Sequence, residues 1–272
     1  MSPTRDWTKP SEKALVEYDA KEGIAWIRLN DPPANTYSYA MMRQLDDAVL
    51  RARFDASVHV LVLTGAGETF FCAGANIQML QEVDVAFKYY FCLHANETLC
   101  RLEQTPKLVI AAINGHCVGG GLEIALAADL RFARQGESKI GLPEVNLGVL
   151  PGTGGTQRLA RTVGRGKAIE LIAEGKNLSV EQAHSLGLIN RISTGKNFVQ
   201  EAHEYAHQFL PPKKASKAVG HVKRAIISGL ESGLAEGLAL ERELQQQLFV
   251  SDDAAEGIRA YNEKRQPTFR GR

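Results

Sequence analysis

Leu108-Val109-Ile110-Ala111-Ala112-Ile113-Asn114-Gly115-His116-Cys117-Val118-Gly119-Gly120-Gly121-Leu122-Glu123 is the stretch on which the fold turns. Its first six residues are apolar throughout, which suits a strand buried on both faces. The glycines end that run, and residues 122–129 read as a short helix with a strand at 130–133 behind it. Residues 58–64 form a second short apolar run of the same kind. Before it, Met41, Leu45, Ala48, Val49 and Ala52 recur at helical spacing. Ala14-Leu15-Val16-Glu17-Tyr18 and Ile24-Ala25-Trp26-Ile27-Arg28-Leu29 read as a hairpin about Lys21-Glu22-Gly23. Residues 80–102 read as mainly helical, and so does most of the chain from Gln157 onward. Strands alternating with helices place the chain in the α/β class, with a helical C-terminal part. No low-complexity tract or strong fixed-period repeat is visible.

The glycines at 119, 120 and 121 sit where a strand gives way to a helix. Lacking side chains, they let a ligand carbonyl approach the backbone. The N–H groups at a helix start have no intrahelical acceptor, and the helix dipole favours negative charge there. An enolate oxygen is such a charge, and a phosphate is another. The chain has no GxxxxGK[ST] motif, which argues against a nucleotide-binding P-loop. A second turn of small residues, Phe70-Phe71-Cys72-Ala73-Gly74-Ala75-Asn76-Ile77, follows the earlier apolar run. Two such turns are suited to bring two backbone donors to one oxygen.

Two glutamates stand in glycine-rich surroundings. Glu123 ends the first stretch, and Glu144 lies in Gly141-Leu142-Pro143-Glu144-Val145-Asn146-Leu147-Gly148. Two carboxylates in one apolar pocket can serve as acid and base on one small molecule. That pairing points to adding or removing water across a carbon–carbon double bond.

The ordered set of Phe71-Cys72-Ala73-Gly74-Ala75, Ile110-Ala111-Ala112-Ile113-Asn114-Gly115, Gly119-Gly120-Gly121-Leu122-Glu123, Gly141-Leu142-Pro143-Glu144 and Pro151-Gly152-Thr153-Gly154-Gly155-Thr156-Gln157-Arg158-Leu159 resembles the crotonase, or enoyl-CoA hydratase and isomerase, superfamily. Within it the likeness is greatest to enoyl-CoA hydratases, and it runs from Ala14 to the end of the chain. The resemblance implies a spiral of β-β-α units with a helical C-terminal trimerisation region, assembled as a homotrimer or a hexamer of paired trimers. It divides the chain into a leader at 1–13, a crotonase core at 14–200 and a helical region at 201–272. It implies acyl-CoA as substrate, with no separate cofactor and no metal. The oxyanion hole falls on the N–H groups of Ala75 and Gly120, and Glu123 and Glu144 flank the reacting water. Ala73, Asn76, Ile77, Gly152 and Lys264 fall at CoA- or substrate-binding positions, with Lys264 reaching CoA phosphates on a neighbouring subunit. The implied activity is reversible hydration of 2-enoyl-CoA, with Δ3,Δ2-enoyl-CoA isomerisation as the alternative. Asn76, Leu142 and the stretch Asn35-Thr36-Tyr37-Ser38 depart from the common hydratase pattern, all near the implied acyl or CoA path.

The remaining signals are weaker. The formal charge is +1 over 272 residues, which gives no global pull toward nucleic acid or membrane. No apolar run approaches a membrane span, so a cytoplasmic protein is expected. Cys72, Cys92, Cys100 and Cys117 form no CxxC pair and read as buried reduced thiols. His203-Glu204-Tyr205-Ala206-His207 is a literal HExxH, but it lies in an ordinary amphipathic pattern with no evident third ligand. Lys213, Lys214, Lys217, Lys223 and Arg224 read as a solvated helix face. A non-catalytic RNA-binding relative is the alternative reading of that cluster. Asp129 reads as a helix-end carboxylate near enough to tune a glutamate, and Asp252 and Asp253 as the cap of the last helix.

Overall fold

The computed structural model describes residues 6–272. β1 (Val16–Lys21) and β2 (Ile24–Leu29) form the expected hairpin, closed by Glu22 and Gly23 at positive φ. α1 (Tyr39–Phe54) follows, and all five of the residues at helical spacing are buried. β3 (Val60–Gly65) and β4 (Phe70–Cys72) lead to α2 (Ile77–Glu82) and α3 (Val85–Glu103). The single helical stretch expected at 80–102 is therefore two helices. Asp84 divides them, its carboxylate accepting from the Phe87 N–H at 2.7 Å as the cap of α3. β5 (Leu108–Ile113), β6 (His116–Val118) and α4 (Gly120–Leu126) come next, then β7 (Leu130–Arg134) and β8 (Ile140–Gly141).

The strands alternate between two sheets. β1, β2, β3, β5 and β7 lie in that order in the larger sheet, and β4, β6 and β8 in the smaller one. Each strand pair from β3 onward places its first strand in one sheet and its second in the other, so the chain climbs as a spiral. The pairs β3–β5, β5–β7, β4–β6 and β6–β8 are all parallel. This is a repeat of topology that carries no fixed period in the sequence, because the segments between strands differ in length. Buried asparagines tie successive turns together. Asn114 donates to the Gly67 carbonyl at 2.8 Å and accepts from the Gly65 N–H at 3.0 Å. Asn35, with no exposure, donates to the Ala66 and Phe70 carbonyls at 2.9 Å.

β3 and β5 are buried at every position, as their unbroken apolar runs require. Leu61, Leu63, Val109 and Ala111 pack toward α1, and Val60, Val62, Ile110 and Ala112 pack on the opposite face. That second face is covered by α8 (Phe198–His207) through Phe198, Ala202 and Ala206. Between β8 and α8 run α5 (Gly155–Val163), α6 (Arg165–Glu174), β9 (Asn177–Leu178), α7 (Val180–Ser185) and β10 (Arg191–Ser193). β9 joins the smaller sheet and β10 the edge of the larger one, two short strands inside a region expected to be helical. The boundary expected at 200 falls within α8, whose apolar side closes the core.

α9 (Ser216–Leu230) and α10 (Leu234–Phe249) form an antiparallel pair that leaves Ile226, Leu230, Leu234 and Leu238 exposed. α11 (Asp252–Asn262) is capped by Ser251, whose hydroxyl accepts from the Ala254 N–H at 3.1 Å. Asp253 instead accepts from the N–H groups of Arg270 and Gly271, both at 2.7 Å, and so pins the C-terminal tail. Within the expected leader, residues 1–5 lie outside the described residues, but Trp7 packs into the core at 8% exposure and donates to Glu82 at 2.8 Å. Among the described residues, no helix is long and apolar enough to cross a membrane.

Candidate active site

α4 begins at Gly120 and is buried along its whole length. Glu123, in its first turn, is 2% exposed. Its carboxylate reaches the loop before α5, where Oε1 accepts from the N–H groups of Thr153 at 2.8 Å and Gly155 at 2.7 Å. The Thr153 hydroxyl donates to Oε2. Burial raises the Glu123 pKa, and these hydrogen bonds, with the charge of Arg158, oppose the rise. The bonds also fix the carboxylate's orientation, since both oxygens are held.

Glu144 opens a short 3-10 turn, Glu144–Leu147, directly after β8 and Pro143. Its Oε1 lies beside Gly119, where an added Cβ would meet it at 2.9 Å. Its Oε2 is buried without a hydrogen-bond partner. Burial pushes its pKa up to about 7; its own backbone N–H opposes this and the charge of Glu123 adds to it. The two glutamates therefore differ in kind. One is held by three donors, and the other stands near half-protonation at neutral pH.

The two small-residue turns do meet. A Cβ on Gly74, which has φ +91°, would lie 3.0 Å from the Gly120 nitrogen. Tyr37 donates its N–H to the Gly74 carbonyl at 2.9 Å and accepts from the Asn76 N–H at 2.9 Å. That pairing turns the Ala75 N–H the other way. The Gly120 N–H is the first of α4 and has no acceptor within the helix. Ala75 and Gly120 both line a cavity of about 530 Å³, together with Glu123 and Glu144. Ile77, Leu80, Phe91 and Leu150 give it apolar walls.

Of the other positions named from the sequence, Ala73, Ile77 and Gly152 line this cavity, and Asn76 and Lys264 do not. The Asn76 side chain accepts from the Met79 N–H at 2.9 Å and caps α2. Lys264 is exposed beyond the end of α11. Tyr37, Lys88, Cys92 and Thr153 line the cavity without having been singled out. Tyr37 and Thr153 lay inside quoted stretches, but nothing local marked their side chains as inward-facing.

Three secondary readings change. Asp129 touches neither glutamate; it pairs with Lys223 at 2.9 Å and accepts from the Val109 N–H at 2.7 Å. Lys223 is correspondingly 7% exposed and is not part of a solvated face. Cys100 is exposed, whereas Cys72 and Cys117 are buried. His203 and His207 stand with ring centroids 5.9 Å apart, and His203 lies 3.7 Å from Glu22. No cluster of three or more metal-ligating side chains occurs among the described residues.

The pattern that defines enoyl-CoA hydratase/isomerase matches residues 19–272. The chain belongs to that family. It is 36% identical to the short-chain-enoyl-CoA hydratase of Clostridium acetobutylicum, over 90% of this chain and 94% of the relative. It is 41% identical to the enoyl-CoA isomerase/hydratase fer4 of Mycosarcoma maydis, over 78% of this chain and 77% of the relative. The crystal structure of an enoyl-CoA hydratase from Geobacillus kaustophilus superposes with a TM-score of 0.92 at 41% identity, covering 96% of this chain and 98% of that one. The expected crotonase fold is thereby established, and an acyl-CoA thioester is the substrate class consistent with family membership.

Proposed function

We propose that this member of the family is an enoyl-CoA hydratase, adding water reversibly across the 2,3 double bond of a 2-enoyl-CoA to give the 3-hydroxyacyl-CoA. The observation that carries the reading is the pair of unlike carboxyls in one apolar cavity. Glu123, oriented by three donors, suits a base that activates water for attack on the β-carbon. Glu144, raised to about 7, suits the acid that delivers a proton to the α-carbon. The two exchange roles in dehydration.

The N–H groups of Ala75 and Gly120 would hold the thioester oxygen as negative charge develops on it, each contributing about 3 kcal/mol of transition-state stabilisation. Ala73, Ile77 and Gly152 would follow the thioester arm along the cavity wall. Lys264 would meet CoA phosphates from a neighbouring subunit. The exposed apolar residues of α9 and α10 suit subunit contact in a homotrimer or a hexamer, and a cytoplasmic location fits this chemistry. The reaction needs no cofactor beyond the acyl-CoA itself.

The deciding experiment is an assay of crotonyl-CoA hydration by loss of the conjugated-enoyl absorbance, run beside 3-enoyl-CoA isomerisation. Hydration that collapses in folded Glu123→Gln and Glu144→Gln supports the reading. Isomerisation alone, dependent on one glutamate, replaces it with the isomerase.

A further inference from the structure

Two hydroxyls stand behind Glu123. Tyr37 and Thr153 are each 3% exposed, and both line the cavity. Tyr37 Oη lies 3.3 Å from Thr153 Oγ1, and Thr153 Oγ1 donates to Glu123 Oε2. A hydroxyl has one proton, and an ionised carboxylate can only accept. The Thr153 proton is committed to Glu123, so Tyr37 must donate to Thr153. The three groups make a one-way chain of hydrogen bonds that ends on the carboxylate.

The outer link is held in place. The Tyr37 ring sits 5.7 Å from that of Phe91, and its backbone pairs with the Gly74–Asn76 turn. A Cβ on Gly120 would collide with Tyr37 Oη, so the phenol is wedged against the start of α4. A side chain that merely filled this corner would need no hydroxyl. Here the hydroxyl points at the one atom that passes its polarisation on to Glu123.

We propose, resting on the hydratase reading, that Tyr37 is a positioning residue: through the Thr153 hydroxyl it holds Glu123 as an oriented carboxylate and leaves Glu144 as the proton carrier of the pair. The titratable groups facing Glu123 are Tyr37 from the loop before α1, Cys92 from α3, Glu144 from the 3-10 turn and Arg158 from α5. Burial and the Glu123 charge hold Tyr37 and Cys92 above their ordinary values, so both stay neutral. Arg158 is tied to Glu103 at 2.9 Å. Of these four facing groups, Glu144, raised to about 7, is the one that changes charge near neutral pH.

The test is a carbon-13 NMR titration of the Glu123 carboxyl in the full chain without substrate, its signal identified by loss in Glu123→Gln. Removing a donor from a carboxylate raises its pKa. Tyr37→Phe should therefore move the Glu123 titration to higher pH. Thr153→Val should move it further, Thr153→Ser should leave it near wild type, and Tyr37→Phe with Thr153→Val should match Thr153→Val alone. In turnover, Tyr37→Phe should lower kcat about fivefold at unchanged KM, the scale of one net hydrogen bond. The acid limb of its rate profile should shift in the same direction as the titration.

An unmoved Glu123 titration in Tyr37→Phe, or shifts that simply add in the double variant, would overturn the proposal. The titration needs no turnover, so the two readings fail separately. A wild type inactive on crotonyl-CoA with the titration shift intact removes the hydratase and keeps the hydroxyl chain. An active enzyme with an unmoved titration does the reverse.

Discussion

Asp129 and Glu144 are both carboxyls drawn out of water, and they sit in opposite circumstances. Asp129 lies behind the sheet, where Lys223 and the Val109 N–H meet it. Burial pushes Asp129 up and Lys223 down against their mutual attraction, yet each has its partner. Glu144 lies at the cavity with one oxygen unpartnered. The first arrangement satisfies a charge and fastens α9 to the core. The second leaves a carboxyl whose proton is free to move. Burial alone does not single out a candidate acid; burial without a partner, facing a cavity, is what makes Glu144 one.

The sharpest way to break this comparison is to remove each group's chemistry. Glu144→Gln should lower hydration turnover about a thousandfold, within the range for a general acid. Its thermal midpoint should hold or rise, since an unpartnered buried carboxyl has been replaced by a neutral group. Lys223→Met should do the reverse, destabilising the fold by about 3 kcal/mol in a denaturant melt while sparing the cavity's polar groups. Asp129→Leu added to Lys223→Met should recover much of that loss, because no uncompensated charge remains. Equal stability losses in Glu144→Gln and Lys223→Met would erase the distinction.

The pH dependence sharpens it. With Glu144 as the proposed acid, hydration requires it protonated, so under that proposal the rate should fall as pH rises through about 7. For stability the sign follows from proton uptake. The folded state holds the Glu144 proton to higher pH than the unfolded chain does, so stability falls as pH rises from the unfolded value of 4.5 toward about 7. Glu144→Gln should remove that slope, a gain on the order of 1 kcal/mol after allowing for solvent screening at a partly open site. Melts of both proteins between those limits check it.

The smallest expected effect concerns Asn76, assigned from the sequence to ligand binding and placed by the structure at a helix cap. Asn76→Ala should cost about 1 kcal/mol of stability, Asn76→Asp much less, and neither should raise KM for acyl-CoA severalfold. A large rise in KM without a stability change would support the ligand role.

Much of the fold was legible because its central strands, β3 and β5, are buried on both faces. The runs at β3 and β5 are apolar without interruption, and the pattern of α1 survives intact. β9 and β10 were not legible: strands of two and three residues carry too little pattern to stand out among helices. That α8 spans the boundary drawn at 200 was unread for a related reason, since the apolar side of that helix gives no sign of which surface it covers. In the site, the glutamates, glycines and small-residue turns were readable from residue type and order. Tyr37 and Thr153 were not, because a tyrosine and a threonine are ordinary in loops until they point inward together.

By itself, the sequence determined where the long buried strands and α1 form and which residues could carry acid–base chemistry, because these depend on local conformational preference and side-chain type. Only the tertiary structure decided that Asp129 is paired and Glu144 is not, that the Gly74–Ala75 turn touches the start of α4, and that Tyr37 reaches Glu123 through Thr153. Those outcomes depend on desolvation and on hydrogen-bond partners supplied by distant segments. No local pattern encodes them.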